Sequence, residues 1–245
     1  MKLLFERSNF EDDCKSIENI LYLDPVYHDR AQQYLATLFQ LDLDYIRGNN
    51  RERGTEYLRS ALEEEYLHSQ PIILEKINEI SERWNLISDD VIRILSDIYE
   101  YSFAENHIVK AYFTMNHMGP YNYEEQTFNI NYRKTLEEMI ESCIHELIHF
   151  YWFRKWEQVF TDKYQENEHI VWKFSEIAID AIFKKTELNK FCVKEKPAYQ
   201  YFYDIQINGE NMIEVFRKLF EENDMVGFME KGIHYLMENK EQISD

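Results

Sequence analysis

Cys143-Ile144-His145-Glu146-Leu147-Ile148-His149-Phe150 is the stretch around which the rest of the chain is read. It lies inside a helical pattern: Leu136, Met139, Ile140, Cys143, Ile144, Leu147, Ile148 and Tyr151 follow the i, i+3, i+4, i+7 rhythm of one buried stripe. Thr135 and Glu138 form a T-x-x-E capping box that starts this helix near Leu136. On a helix, residues four apart share a face, so His145 and His149 can offer two imidazole nitrogens to one metal ion. Glu146 sits about 100° round from the first histidine. That puts it beside the open position of a metal, where a general base must stand to take a proton from metal-bound water.

A solvated polar face could carry His, Glu and His by accident. Against that reading, Trp152, Phe153 and Trp156 continue the histidine side toward the C-terminal end, where a solvated face should be polar. Large aromatics there imply cover from another part of the chain, and a face covered at one end and polar in the middle reads as a cleft wall.

A catalytic zinc takes three protein ligands and leaves its fourth position to water. Trp152 and Lys155 stand where an H-E-x-x-H-x-x-G-x-x-H pattern needs Gly and His, so the third ligand lies elsewhere. Downstream candidates are Glu166, Glu168, His169 and Glu176. Glu166 and Glu168 belong to a polar loop, where carboxylates are ordinary. Glu176 and Asp180 instead interrupt the apolar run from Ile170 to Phe183, a helix that should be largely buried. Two buried carboxylates one turn apart need strong partners. Glu176 is therefore read as the third ligand, with His169 as the alternative. Asp180 is read as the acceptor of the free N–H of a ligating histidine, His145. The competing reading is a buried salt bridge to Lys173 or to an Arg from elsewhere.

With these residues the chain resembles the zincin superfamily of metallopeptidases, and within it the gluzincin type. That family's pattern is H-E-x-x-H on one helix and E-x-x-x-D on a following one, matched here by His145-Glu146-Leu147-Ile148-His149 and Glu176-Ile177-Ala178-Ile179-Asp180. The resemblance covers about residues 105–185, and Ser175 stands where many members have Asn. It implies a strand beside the cleft that pairs with extended substrate. Thr127–Tyr132 has the required period-two alternation, His107–Asn116 reads as its neighbour, and Met118-Gly119-Pro120-Tyr121-Asn122 between them reads as a turn. An ordinary hairpin without a substrate role is the competing reading. The resemblance also implies a His or Tyr that stabilises the tetrahedral oxyanion. The candidates are Tyr199, Tyr201, Tyr203 and His234, with Tyr201 and His234 put forward.

Composition bounds the rest. The 245 residues are 44% hydrophobic and 30% charged, which is globular rather than disordered. A formal net charge of −19 makes a phosphate-backbone partner an unlikely match, so no nucleic acid is expected. The start Met1–Arg7 reaches charge too soon for a secretory signal, nothing resembles a pro-segment, and no apolar run approaches the roughly 20 residues of a membrane span. Cys14, Cys143 and Cys192 are widely spaced and odd in number, which reads as reduced thiols in the cytoplasm.

The sequence thus predicts a mostly helical α+β fold. Residues 1–104 form a helical N-terminal region, 105–190 a zincin-like metal-binding core (small sheet with edge strand plus active-site helix), and 191–245 a helical C-terminal region. Within the first region, four helices are expected. Ala31, Tyr34, Leu35, Leu38 and Tyr45 mark the first, which should stop near Gly48. Leu58–Tyr66 marks the second, Pro71 opens the third and Ser88 caps the fourth. The function expected is a zinc peptidase acting on a peptide or protein substrate, with His145, His149 and Glu176 on Zn2+ and Glu146 as general base. The rivals are a non-catalytic zinc-binding regulatory or scaffold protein, and a metal-free helical interaction protein in which Glu176 has a basic partner away from the histidines.

Overall fold

A computed structural model describes residues 1–23, 25–116, 121–161 and 163–243. The fold is α+β and mostly helical, and its chain forms two compact units. The first takes residues 1–84 and 106–139, the second residues 85–105 and 140–245. No helix among the described residues is long and apolar enough to cross a membrane.

The first unit is built on a three-stranded sheet in the order β1 (Lys2–Arg7), β2 (Ile108–Thr114), β3 (Thr127–Asn131). Both pairs are parallel, with Leu3 opposite Val109 and Ala111 opposite Phe128. The central strand is therefore the most deeply covered, and Val109, Ala111 and Phe113 are wholly buried. Phe5 meets both Trp84 and Phe113 edge-on. The parallel pairing rules out the hairpin reading of β2 and β3. Part of the turn expected between them, residues 118–120, lies outside the described residues. Thr127–Asn131 keeps the alternation that marks it in the sequence, with Phe128 and Ile130 inward.

The helices of this region depart from expectation in two ways. The one helix expected through Tyr45 is two, α1 (Phe10–Leu21) being followed by α2 (Pro25–Phe39) and α3 (Leu43–Gly48). Gln40 turns left-handed (φ 54°), and Asp42 caps the restart by accepting a hydrogen bond from Tyr45 N. Conversely, the three helices expected between Leu58 and Ile98 are one, α4 (Arg51–Tyr99), with Pro71 inside it. Pro71 faces solvent, so the carbonyl deprived of its N–H partner can turn to water and the helix runs on. The strand β1 was not foreseen.

The second unit is helical. It contains the end of α4, α5 (Leu136–Phe160) from Ile140 onward, α6 (Glu168–Lys185), a short hairpin of β4 (Gln206–Ile207) and β5 (Glu210–Asn211), then α7 (Met212–Glu222), α8 (Met225–Glu238) and α9 (Lys240–Ile243). Asn208 and Gly209, both with positive φ (54° and 83°), make the hairpin turn, as an Asn-Gly pair does at least strain. Asn211 and Asp224 cap α7 and α8 with their side chains. The capping box of α5 is formed in both directions: Thr135 N donates to Glu138 (2.8 Å) and Glu138 N to the Thr135 hydroxyl (3.3 Å).

Candidate metal centre

Between Met139 and Trp152 the helix α5 is buried nearly all round, with Ser142, His145 and Glu146 only half covered. On the stripe side, Tyr99 of α4 donates to Ile148 O (3.4 Å) and the Ser96 and Tyr151 hydroxyls bond each other (3.1 Å). On the histidine side Trp152 packs edge-on against Phe174 of α6 and Phe228 of α8. The cover inferred from Trp152 and Trp156 is therefore supplied by α6 and α8. Their approach is close: a Cβ on Gly232 would stand 2.2 Å from the Phe174 ring, so no larger residue fits there without displacing it.

That packing sets Glu176 of α6 against the histidines of α5. His149 Nε2 lies 3.3 Å from Glu176 Oε1, His145 Nε2 lies 3.6 Å from Glu176 Oε2, and the two Nε2 atoms are 3.1 Å apart. Burial is graded, the side chains of His149, Glu176 and His145 being 1%, 5% and 23% exposed, so the cluster opens on the His145 side. The His149 ring stacks on Phe153, which limits its rotation.

Lewis-basic atoms of three side chains brought this close repel unless a proton or cation lies among them. Ligand atoms about 2.0–2.1 Å from a tetrahedral zinc are about 3.4 Å from one another, and the separations found here bracket that value. Glu176 Oε2 is buried and accepts no hydrogen bond among the described residues. The donor set fits a metal ion, and His145, His149 and Glu176 could hold one.

Without a metal the cluster behaves as an ion pair. Burial works against the charged form of His149, but the hydrogen bond and charge of Glu176, with the charge of Glu146, outweigh it and raise the imidazole pKa. Burial likewise pushes the Glu176 carboxyl up, and the bond and charge of His149 with the charge of His145 bring it below its ordinary value. Glu146 is half-buried and near enough for its charge to act on His149.

Other expected site residues land differently. Asp180 does not serve a histidine. Its wholly buried carboxylate is gripped by Arg217 of α7, Nε to Oδ1 at 2.6 Å and an Nη to Oδ2 at 3.0 Å, and by the Tyr203 hydroxyl. The salt-bridge reading was right for Asp180, with an arginine 37 residues away, and Lys173 is engaged instead with Ile243 O (3.0 Å). Glu166, Glu168 and His169 are exposed and outside the cluster. His234 points to solvent from α8 and pairs with Glu238 at 3.2 Å, and Tyr201 packs on Phe202. Tyr199 is half exposed and follows the buried Pro197 and Ala198. Its ring contacts Trp172, one turn before Glu176, and burial together with the charges of Glu176 and Glu146 pushes its phenol up to about 12.

Comparison with protein-family models, with curated proteins and with solved structures finds no match.

Proposed function

We propose that this protein is a zinc-dependent peptidase with a gluzincin-like core, acting on peptide or protein substrates. The observation that carries the reading is the convergence of two imidazoles and one carboxylate: the His145 and His149 Nε2 atoms are 3.1 Å apart, with Glu176 Oε1 3.3 Å from His149 and Oε2 3.6 Å from His145, separations near those between zinc ligands. Zinc bound there supplies a Lewis acid that polarises a carbonyl and acidifies water at neutral pH.

The protein's own groups divide the remaining work. Glu146 takes the proton of the attacking water and passes it to the leaving amine, a role suited to a half-buried carboxylate next in sequence to a ligating histidine. Tyr199, half exposed with its ring against Trp172 one turn before Glu176, is the phenol assigned to the oxygen on which charge develops. Asp180 with Arg217 and Tyr203 ties α6 to α7 and to the chain between them, one turn beyond Glu176 and apart from the ligands. Three free cysteines accord with action in the cytoplasm.

The test is Glu146→Gln in zinc-loaded protein, assayed on a mixed peptide library. Hydrolysis should fall by about 10²–10⁴-fold with zinc content unchanged, whereas undiminished cleavage would remove Glu146 from the mechanism.

A further inference from the structure

In the second unit, one buried carboxylate among the described residues remains outside the metal cluster and the Asp180 pair. Glu141, on α5, is 3% exposed and lies one turn before His145 and two before His149, on their face of the helix. A carboxylate amid Ile140, Cys143 and Ile144 would destabilise the fold unless fully used. One of its oxygens, Oε2, accepts hydrogen bonds from two successive backbone amides, Val193 N at 2.6 Å and Lys194 N at 2.9 Å. The other lies 3.4 Å from the Lys194 ammonium.

Those amides belong to the irregular strap between the turns Glu187–Phe191 and Gln200–Asp204. The strap has no ladder of its own, so side chains must satisfy its backbone. Lys184 of α6 donates to Lys194 O at 3.0 Å. At the far end Ala198 N donates to the Tyr203 hydroxyl at 3.1 Å, and that hydroxyl donates to Asp180. Pro197 and Ala198 are buried, while Val193 to Lys196 ride over the surface. Tyr199 is the next residue, and its ring rests on Trp172.

We propose that Glu141 is a positioning residue: from the motif helix it clamps the 193–199 strap by two backbone amides and thereby sets the half-exposed Tyr199 against Trp172, one turn before Glu176. The consequence for catalysis rests on the peptidase reading above, but the clamp is a property of the chain itself. Glu141 ties the strap to the helix that carries the histidines. Asp180, through Tyr203, ties it to the helix that carries Glu176. The strap that leads into Tyr199 is thus tied to both helices that carry the cluster.

Because one oxygen takes both amides, Gln can keep the clamp and Ala cannot. Hydrogen exchange of peptides covering 193–199 in metal-free protein should accelerate about tenfold or more in Glu141→Ala and stay near wild type in Glu141→Gln. Zinc content should be unchanged in both. Acetohydroxamate binding to zinc-loaded protein should weaken about tenfold in Tyr199→Phe and in Glu141→Ala, and no further in the double variant. If Glu141→Ala does not fold, Tyr203→Phe removes the other tether and should give the same two losses. Unchanged exchange in Glu141→Ala or in Tyr203→Phe, or additive losses in the double variant, would overturn the proposal. Zinc absent from wild type while Glu141→Ala still frees the strap would bring down the peptidase reading and leave the clamp standing. Zinc present with exchange unchanged would do the reverse.

Discussion

Asp13 in the first unit and Glu176 in the second are carboxylates taken almost wholly out of water, at 1% and 4% exposure, and their surroundings treat them in opposite ways. Asp13 accepts from the Thr114 hydroxyl and from Met115 N (3.3 Å), with the Ser8 hydroxyl contributing. All three donors are neutral, and burial still raises its pKa. It brackets α1 to the end of β2. Glu176 meets two imidazoles, leaves one oxygen without a hydrogen bond among the described residues, and has its pKa lowered. Asp180, one turn further on, is a third case, saturated by Arg217 and Tyr203. The burial of a carboxylate is therefore a poor guide to its role. The chemistry of its partners, and whether their bonding is complete, separates a bracket from a ligand.

The largest effect that tests this separation should come from Asp180. Arg217→Met leaves a buried charge unpaired, so unfolding by denaturant should show a loss of about 3–5 kcal/mol, with zinc content per folded chain unchanged. A loss of zinc instead would make Asp180 part of the metal site after all. Next, zinc at about a hundred times its Kd should stabilise wild type by about 2.7 kcal/mol. Asp13→Asn should keep that increment and Glu176→Gln should abolish it, as measured by thermal unfolding.

Smaller effects lie in pH. Asp13 has a carboxyl whose pKa is raised by folding, so the native state holds the proton more tightly than the unfolded chain. Stability from this group is greatest near and below its ordinary value of 3.8 and falls as pH rises through the folded pKa. Asp13→Asn should cost about 1 kcal/mol and cost more at acid than at neutral pH. The metal-free cluster has the other sense. Glu176 contributes above its ordinary 4.5 and loses that as pH falls; His149 contributes below its ordinary 6.5 and loses that as pH rises. Glu176→Gln should therefore be most costly to metal-free protein between those values, and a flat difference would show that the pair does not form.

What the sequence disclosed follows the range of the interactions. The motif helix, its capping box and the helical character of the C-terminal region are local patterns of 3.6 periodicity and cap chemistry, and they stand where they were expected. Glu176 was legible because a carboxylate in an apolar helix calls for a partner. The identity of that partner is a tertiary fact, which is why Asp180 was misassigned while Arg217 sat on a helix not yet packed. That the Tyr199 ring rests on Trp172 of α6 is set by the turn at Gln200–Asp204, which no local pattern announces. The strand β1 was hidden because its partner lies about a hundred residues on. Pro71 and Ser88 carry ordinary start signals that a long helix with solvent-facing Pro71 overrides. Glu141 drew no attention, since its two amide partners are invisible in one dimension.

The central claim is that His145, His149 and Glu176 form one metal site. Elemental analysis of protein purified without chelators or a metal-affinity tag, wild type beside Glu176→Ala and Asp13→Asn, tests it most directly. The account predicts near one zinc per chain in wild type and in Asp13→Asn, and a sharp loss in Glu176→Ala. No zinc in wild type even after zinc is offered, or equal zinc in all three, would contradict it.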